Sequence, residues 1–265
     1  MQLTYYSDWD KGKYQFFLKE LFLLADQKYL EFNKRIIFTN DQMIGIRVLQ
    51  LRTISKELSK SNFTSFLKCD YCGYFEELLI RGILLSYIKD YDEFILYLDE
   101  FIKYIDNWAI CDMALSGYKI VIKNREKFIN KILEYISSEN EFIVRVGVIF
   151  LLDYYLVDEY IDYVFKLINS IKYRAYYVDM AIAWLISVAF VKYKKKTIIF
   201  LDNNDLDNEI IRMTIQKIRD SKRVDKCDKD YVLKYKKNKV SIWYFIFYWY
   251  SSCFIKFKFS SIIDK

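Results

Sequence analysis

A chain of 265 residues that contains no histidine and no proline closes off several chemistries before any motif is read. Without histidine, acid–base work falls to carboxylates, lysines, tyrosines or water, and a serine–histidine or cysteine–histidine nucleophile system is excluded. Hydrophobic residues at 54% and charged residues at 29% exclude a disordered chain, and a net charge of +6 permits a polyanionic partner without demanding one.

Five irregularly spaced cysteines do not make a disulfide framework, so a reducing cytoplasm is the expected location. The segment from Met1 to Tyr14 has neither an apolar signal core nor a basic leader, and no secretion signal is expected. Residues 14–37 read as an amphipathic helical region, with Phe16, Phe17, Leu21, Phe22, Leu23, Leu24 and Tyr29 on its apolar face. Thr39-Asn40-Asp41 reads as the cap of a following helix that runs through Ile44, Ile46, Val48, Leu49, Leu51 and Ile54. Cys69 and Cys72 form one CxxC. A structural zinc there would need two more ligands, from Cys111, Cys227, Cys253 or carboxylates, and no metal or cofactor is expected. Short polar breaks follow at Asp90-Tyr91-Asp92, Asn124-Arg125, Ser137 to Asn140, Asn169-Ser170 and Asp202 to Asn208. No sustained period-2 segment lies between them, which predicts an all-α chain.

The strongest pattern is a repeat. Gly82, Ala114, Gly147, Ala181 and Thr214 are small residues framed by large apolar ones, separated by 32, 33, 34 and 33 positions. Two positions before the last four stand Asp112, Arg145, Asp179 and Arg212. A period in the low thirties with two helices per period predicts a solenoid of stacked antiparallel helix pairs, with a concave groove. The small residue lets neighbouring helices approach closely, and the charges are expected to form a row on one surface.

Within this frame, Asn107-Trp108-Ala109-Ile110-Cys111-Asp112 places an indole and a carboxylate four residues apart, hence on one face of a helix. An aspartate among Ile110, Met113 and Leu115 is costly unless it caps, pairs or works. Two plain readings stand beside a functional one: a first-turn aspartate serving the helix terminus, and an ion pair of Asp112 with Arg145 that holds one repeat to the next.

Trp108 with Asp112, then Phe142-Ile143-Val144-Arg145, then Met180-Ala181-Ile182-Ala183-Trp184, resembles the DNA alkylation repair glycosylases of the AlkD type, which are HEAT-like helical-repeat enzymes. The resemblance runs from about Asp41 to Lys237 and includes Gly45-Ile46-Arg47 and Ser221-Lys222-Arg223-Val224. It implies a HEAT-like α-α superhelix that acts as a monomer on duplex DNA. The reaction it implies is excision of purines alkylated at N3 or N7, without the base having to enter a pocket. By the same resemblance Asp112 holds the water and opposes the charge of the oxocarbenium ion, Trp108 and Trp184 offer π-faces to the sugar and the cationic lesion, and Arg145 binds backbone phosphate. The chain departs from the family in lacking the proline usual after the Gly-Ile segment, where Val48-Leu49-Gln50-Leu51-Arg52 stands. Tyr29 and Phe32 are the candidates for the aromatic residue contributed by an early helix.

Lys194, Lys195, Lys196, Arg219, Lys222 and Arg223 belong to a late basic cluster expected to meet DNA phosphates. After Lys239 the character changes, and Val240 to Ile255 is crowded with aromatics yet too short to span a membrane. The expected division is therefore a repair domain over 1–239 and an atypical extension over 240–265. The alternative to a glycosylase is a non-catalytic repeat protein that binds DNA or a protein through the same groove. An aspartate retained between two groove-facing tryptophans favours the enzyme, and an Asp112 locked in a buried ion pair favours the alternative.

Overall fold

A computed structural model of the chain describes residues 3–236. Among these the regular elements are all helical: α1 (Lys11–Phe22), α2 (Gln27–Lys34), α3 (Val48–Leu58), α4 (Phe63–Leu67), α5 (Phe75–Leu85), α6 (Tyr91–Phe101), α7 (Trp108–Ala114), α8 (Lys119–Lys123), α9 (Arg125–Ile136), α10 (Glu141–Tyr154), α11 (Ile161–Ser170), α12 (Tyr176–Lys192), α13 (Lys194–Asp202), α14 (Asn208–Asp220) and α15 (Lys226–Tyr231). Two 3₁₀ turns, Ile102–Tyr104 and Val232–Tyr235, complete the order. The all-α class expected from the sequence is observed. The boundary at 239 and the segment 240–265 lie outside the described residues.

Side-chain capping sets many of the helix starts. Asp10, Asp26, Asp90, Asn107, Asn140 and Asp225 stand at N-caps, each accepting a hydrogen bond from a backbone N–H two or three residues on. Two expectations are corrected here. The single helical region over 14–37 is two helices, because Asp26 caps α2 and its own N–H donates to the Gly45 carbonyl at 2.9 Å. Thr39-Asn40-Asp41 caps no helix: the Thr39 hydroxyl and the Asn40 N–H donate to Asp106, and α3 begins only at Val48.

The irregular run before α3 is shaped from α5. The Glu76 carboxylate accepts three consecutive backbone N–H groups, from Ile44 at 2.8 Å, Gly45 at 2.7 Å and Ile46 at 3.2 Å. Gly45 makes that turn with φ of 98°, and a Cβ there would lie 2.8 Å from that of Leu30. Its neighbour Glu77 accepts from the Tyr14 hydroxyl and from the Cys72 N–H at 3.0 Å, with Arg81 3.4 Å away. Burial pushes both carboxyls above the ordinary glutamate value of 4.5, although the N–H donors at Glu76 and Tyr14, Cys72 and Arg81 at Glu77 oppose the shift. A carboxyl with a raised folded pKa binds its proton earlier in the folded than in the unfolded chain, so its contribution to stability grows as pH falls through that window. Glu76→Gln should therefore show a smaller gain in urea midpoint than the wild type as pH is lowered from neutrality towards the ordinary glutamate value.

The described residues form two compact units, one holding 3–157 and 172–178, the other holding 158–171 and 179–236. In the first, α5 packs against α3, α6 and α7, and α10 packs against α7 and α9. The small repeat residues sit at these crossings: a Cβ on Gly82 would lie 2.5 Å from the Ala114 Cβ and 2.5 Å from the Phe101 ring, and one on Gly147 would lie 2.6 Å from Ile136. Two successive repeat positions, Gly82 and Ala114, thus face each other directly.

Side-chain hydrogen bonds reproduce the period in each unit. Tyr118 donates to the Gly82 carbonyl at 2.7 Å, its own N–H donates to the Tyr154 hydroxyl at 2.8 Å, and Lys131 reaches Asp99 at 3.0 Å. In the second unit Lys196 reaches Asp162 at 2.7 Å, Asn169 reaches Asp205 at 2.9 Å, and Phe165 stacks on Phe200 with centroids 4.5 Å apart. Each of these ties joins residues about one repeat apart.

Candidate functional site

Helix α7 is short, and side chains fix its start. Asn107 accepts the Ile110 N–H at 3.0 Å, and the preceding Asp106 accepts from Thr39, Asn40 and the Asn107 amide. Trp108, at the first helical position, donates its indole N–H to the Ile36 carbonyl at 3.1 Å. That bond leaves the indole half-buried and fixes its ring. One turn later on the same face stands Asp112.

Asp112 is buried, with 7% of its side chain exposed, and its Oδ1 accepts from Arg145 Nη2 at 2.7 Å. Among the described residues no hydrogen bond reaches Oδ2. Arg145, on α10, is 5% exposed; its Nη1 donates to the Tyr177 carbonyl at 2.6 Å, and the Tyr177 N–H donates to Glu141 at 2.7 Å. Burial opposes the guanidinium charge, but the Asp112 carboxylate foremost more than offsets this, so the Arg145 pKa lies above its ordinary value.

The expected surface row of charges is, for these two residues, a buried ion pair across one repeat. The reason is geometric: a separation of 33 residues sets the two positions side by side on stacked helices, and neither charge is left unpaired in the interior. The Arg145 Nε–H is buried without a hydrogen-bond partner, so a phosphate contact would require the guanidinium to be uncovered rather than either of its bonds to open. Of the residues expected at the site, Trp108, Asp112 and Arg145 belong to the first unit. Tyr29 is half-buried beneath the Arg47 guanidinium, 5.1 Å from its ring centroid, and Phe32 is 41% exposed. The Tyr177 carbonyl and Glu141, which complete the Arg145 setting, carry no sequence signal, since one acts through its backbone and the other reads as an ordinary first-turn acid.

In the second unit Trp184 is half-buried on α12. Lys194 pairs with Asp228 and Lys196 with Asp162, whereas Lys195, Arg219, Lys222 and Arg223 are exposed and make no ion pair among the described residues. Of the late cations expected to meet phosphate, these four are open to a polyanion. Changing them to alanine is expected to reduce the slope of log affinity for undamaged duplex against log salt by roughly one for each phosphate that the protein no longer neutralises, and the Lys194/Lys196 double change by less. A salt titration of duplex binding checks both.

Among the described residues no group of three histidine, cysteine, aspartate or glutamate side chains is placed to hold a metal ion. Cys72 Sγ instead accepts from the Gln15 amide at 3.1 Å. No described helix is long and apolar enough to cross a membrane.

No curated protein matches the chain. A family model described as DNA alkylation repair enzyme matches residues 17–220, a span that takes in the repeat, the Trp108 to Asp112 helix, Arg145 and Trp184. With most of its length inside that match, the chain belongs to the DNA alkylation repair enzyme family.

Proposed function

We propose that the protein is a DNA glycosylase that hydrolyses the N-glycosidic bond of purines alkylated at N3 or N7, with Asp112 as the reacting carboxylate. Alkylation at those nitrogens makes the base a cation and weakens its bond to the sugar, so the enzyme's remaining task is to stabilise positive charge growing on the deoxyribose. A fixed carboxylate does this because its charge opposes the one that develops in the transition state. The observation that carries the reading is the state of that carboxylate: Arg145 holds Oδ1, no described hydrogen bond engages Oδ2, and an indole stands one turn away on the same face. Such a group is oriented and still has one oxygen to offer a water or the sugar. Trp108 is assigned to the sugar or the cationic base, and the exposed late cations to the phosphates.

A second reading has an observation of its own. The Asp112–Arg145 pair is buried and joins two repeats, which is the arrangement set out above as favouring a non-catalytic repeat protein that binds DNA or a protein. Incubation with a duplex carrying one N7-methylguanine separates the two. Release of free base above the spontaneous rate supports the glycosylase, and binding without release supports the second reading.

A further inference from the structure

We propose that Arg52 is a positioning residue for the helix that carries Trp108 and Asp112, an inference that rests on the reading of Asp112 as the reacting carboxylate. Helix α7 has only seven residues, and Asp112 lies in its last turn. That is the end at which unsatisfied carbonyls give a helix its negative pole, so a carboxylate there is disfavoured and the terminus needs donors. The C-cap residue Leu115 supplies no capping backbone N–H. Two side chains from other helices take its place. Arg52, half-buried on α3, donates through Nη2 to the Met113 carbonyl at 2.9 Å and to the Ser116 hydroxyl at 3.0 Å. Tyr154, on α10, donates to the Leu115 carbonyl at 2.5 Å.

Of these two only Arg52 brings a cation to the negative end of the helix. Its partners stand 61 and 64 positions away, about two periods, as do those of Trp108 and Asp106 at the start of α7, whereas the ties between successive repeats span about half that. Arg52 therefore fastens α7 to a helix two periods upstream. Its own position is fixed in turn, since α3 packs on α5 and the turn leading into α3 is held by the Glu76 carboxylate. In this arrangement Arg145 sets the direction of the Asp112 carboxylate, and Arg52 sets the place of the backbone that bears it.

The test compares the full-length wild type with Arg52→Met, which keeps the length of the stem but loses charge and donors, and with Arg52→Lys, which keeps the charge. Three quantities are measured: the single-turnover release of N7-methylguanine from duplex DNA, the Kd for undamaged duplex, and amide hydrogen exchange. Arg52→Met is expected to slow release by roughly tenfold to a hundredfold, since small misplacements of a reacting group cost that much, with Kd within about twofold of wild type. Exchange should rise over 108–118 and stay unchanged over α9 and α10, and Arg52→Lys should recover part of both effects. Unchanged exchange at 108–118, or release at the wild-type rate, overturns the proposal. Exchange that rises across the whole first unit, with rate and affinity falling together, overturns it as well, because that marks a residue serving the fold in general. If the wild type itself releases no base while Arg52→Met loosens 108–118 alone, the glycosylase reading falls and Arg52 keeps its place as the holder of α7.

Discussion

Asp112→Asn is expected to lower excision of N7-methylguanine by about a hundred- to a thousand-fold while leaving duplex affinity nearly intact. Asparagine keeps the shape of the side chain and can still accept a hydrogen bond from Arg145, but it removes the charge proposed to oppose the oxocarbenium ion. The change carries a second effect that must be separated from the first. Arg145 would remain buried with its guanidinium facing a neutral group, and breaking a buried pair by removing one partner commonly costs about 3–5 kcal/mol. Asp112→Asn should therefore melt earlier than wild type, and its excision should be measured well below its midpoint, with circular dichroism confirming that the chain is folded. A folded Asp112→Asn protein that excises at the wild-type rate would remove Asp112 from the mechanism.

Gly82→Val should disrupt the unit that carries the site. The first carbon of any side chain at this position would stand 2.5 Å from both the Ala114 Cβ and the Phe101 ring, well inside contact distance. Those atoms belong to α7 and α6, which pack on α5, so relief requires moving the helix that bears Trp108 and Asp112. Overpacking of a well-filled core costs about 1–3 kcal/mol, and a branched side chain at such a distance belongs at or beyond the upper end. Gly12→Ala is the control: it lies in the first turn of α1, its Cβ would meet only the Asp10 carboxylate at 3.3 Å, and its urea midpoint should barely move. Equal loss of stability in the two variants would contradict the close approach of α5 and α7.

The parts of this fold that were legible in the sequence are those fixed by local chemistry. Asp90 and Asn140 fall in the short polar breaks between helices, and the small residues at 82, 114 and 147 recur because stacked helices must come close at the same point in each period. The possibility that Asp112 pairs with Arg145 was readable for the same reason, since a 33-residue separation makes neighbours of them. What the sequence hid is decided from a distance. Nothing in residues 23–26 breaks a helix on its own; the break comes with a backbone bond from Asp26 to Gly45. The run over 39–47 looks like a capped helix until Glu76 and Asp106, some thirty and sixty-odd residues on, claim its N–H groups. Glu76 and Glu77 carry no signal of burial in the sequence, yet both are buried, with donors that come from elsewhere in the chain.

A glycosylase releases the alkylated base whole from the DNA, and the fate of the alkyl group tests this most directly. A duplex carrying N7-methylguanine labelled in its methyl group, incubated with the wild-type protein, should give up the label as free N7-methylguanine and retain an abasic sugar in equal amount, faster than the spontaneous loss. Label that stays in the DNA despite tight binding, or that leaves while guanine remains in the strand, would contradict the account.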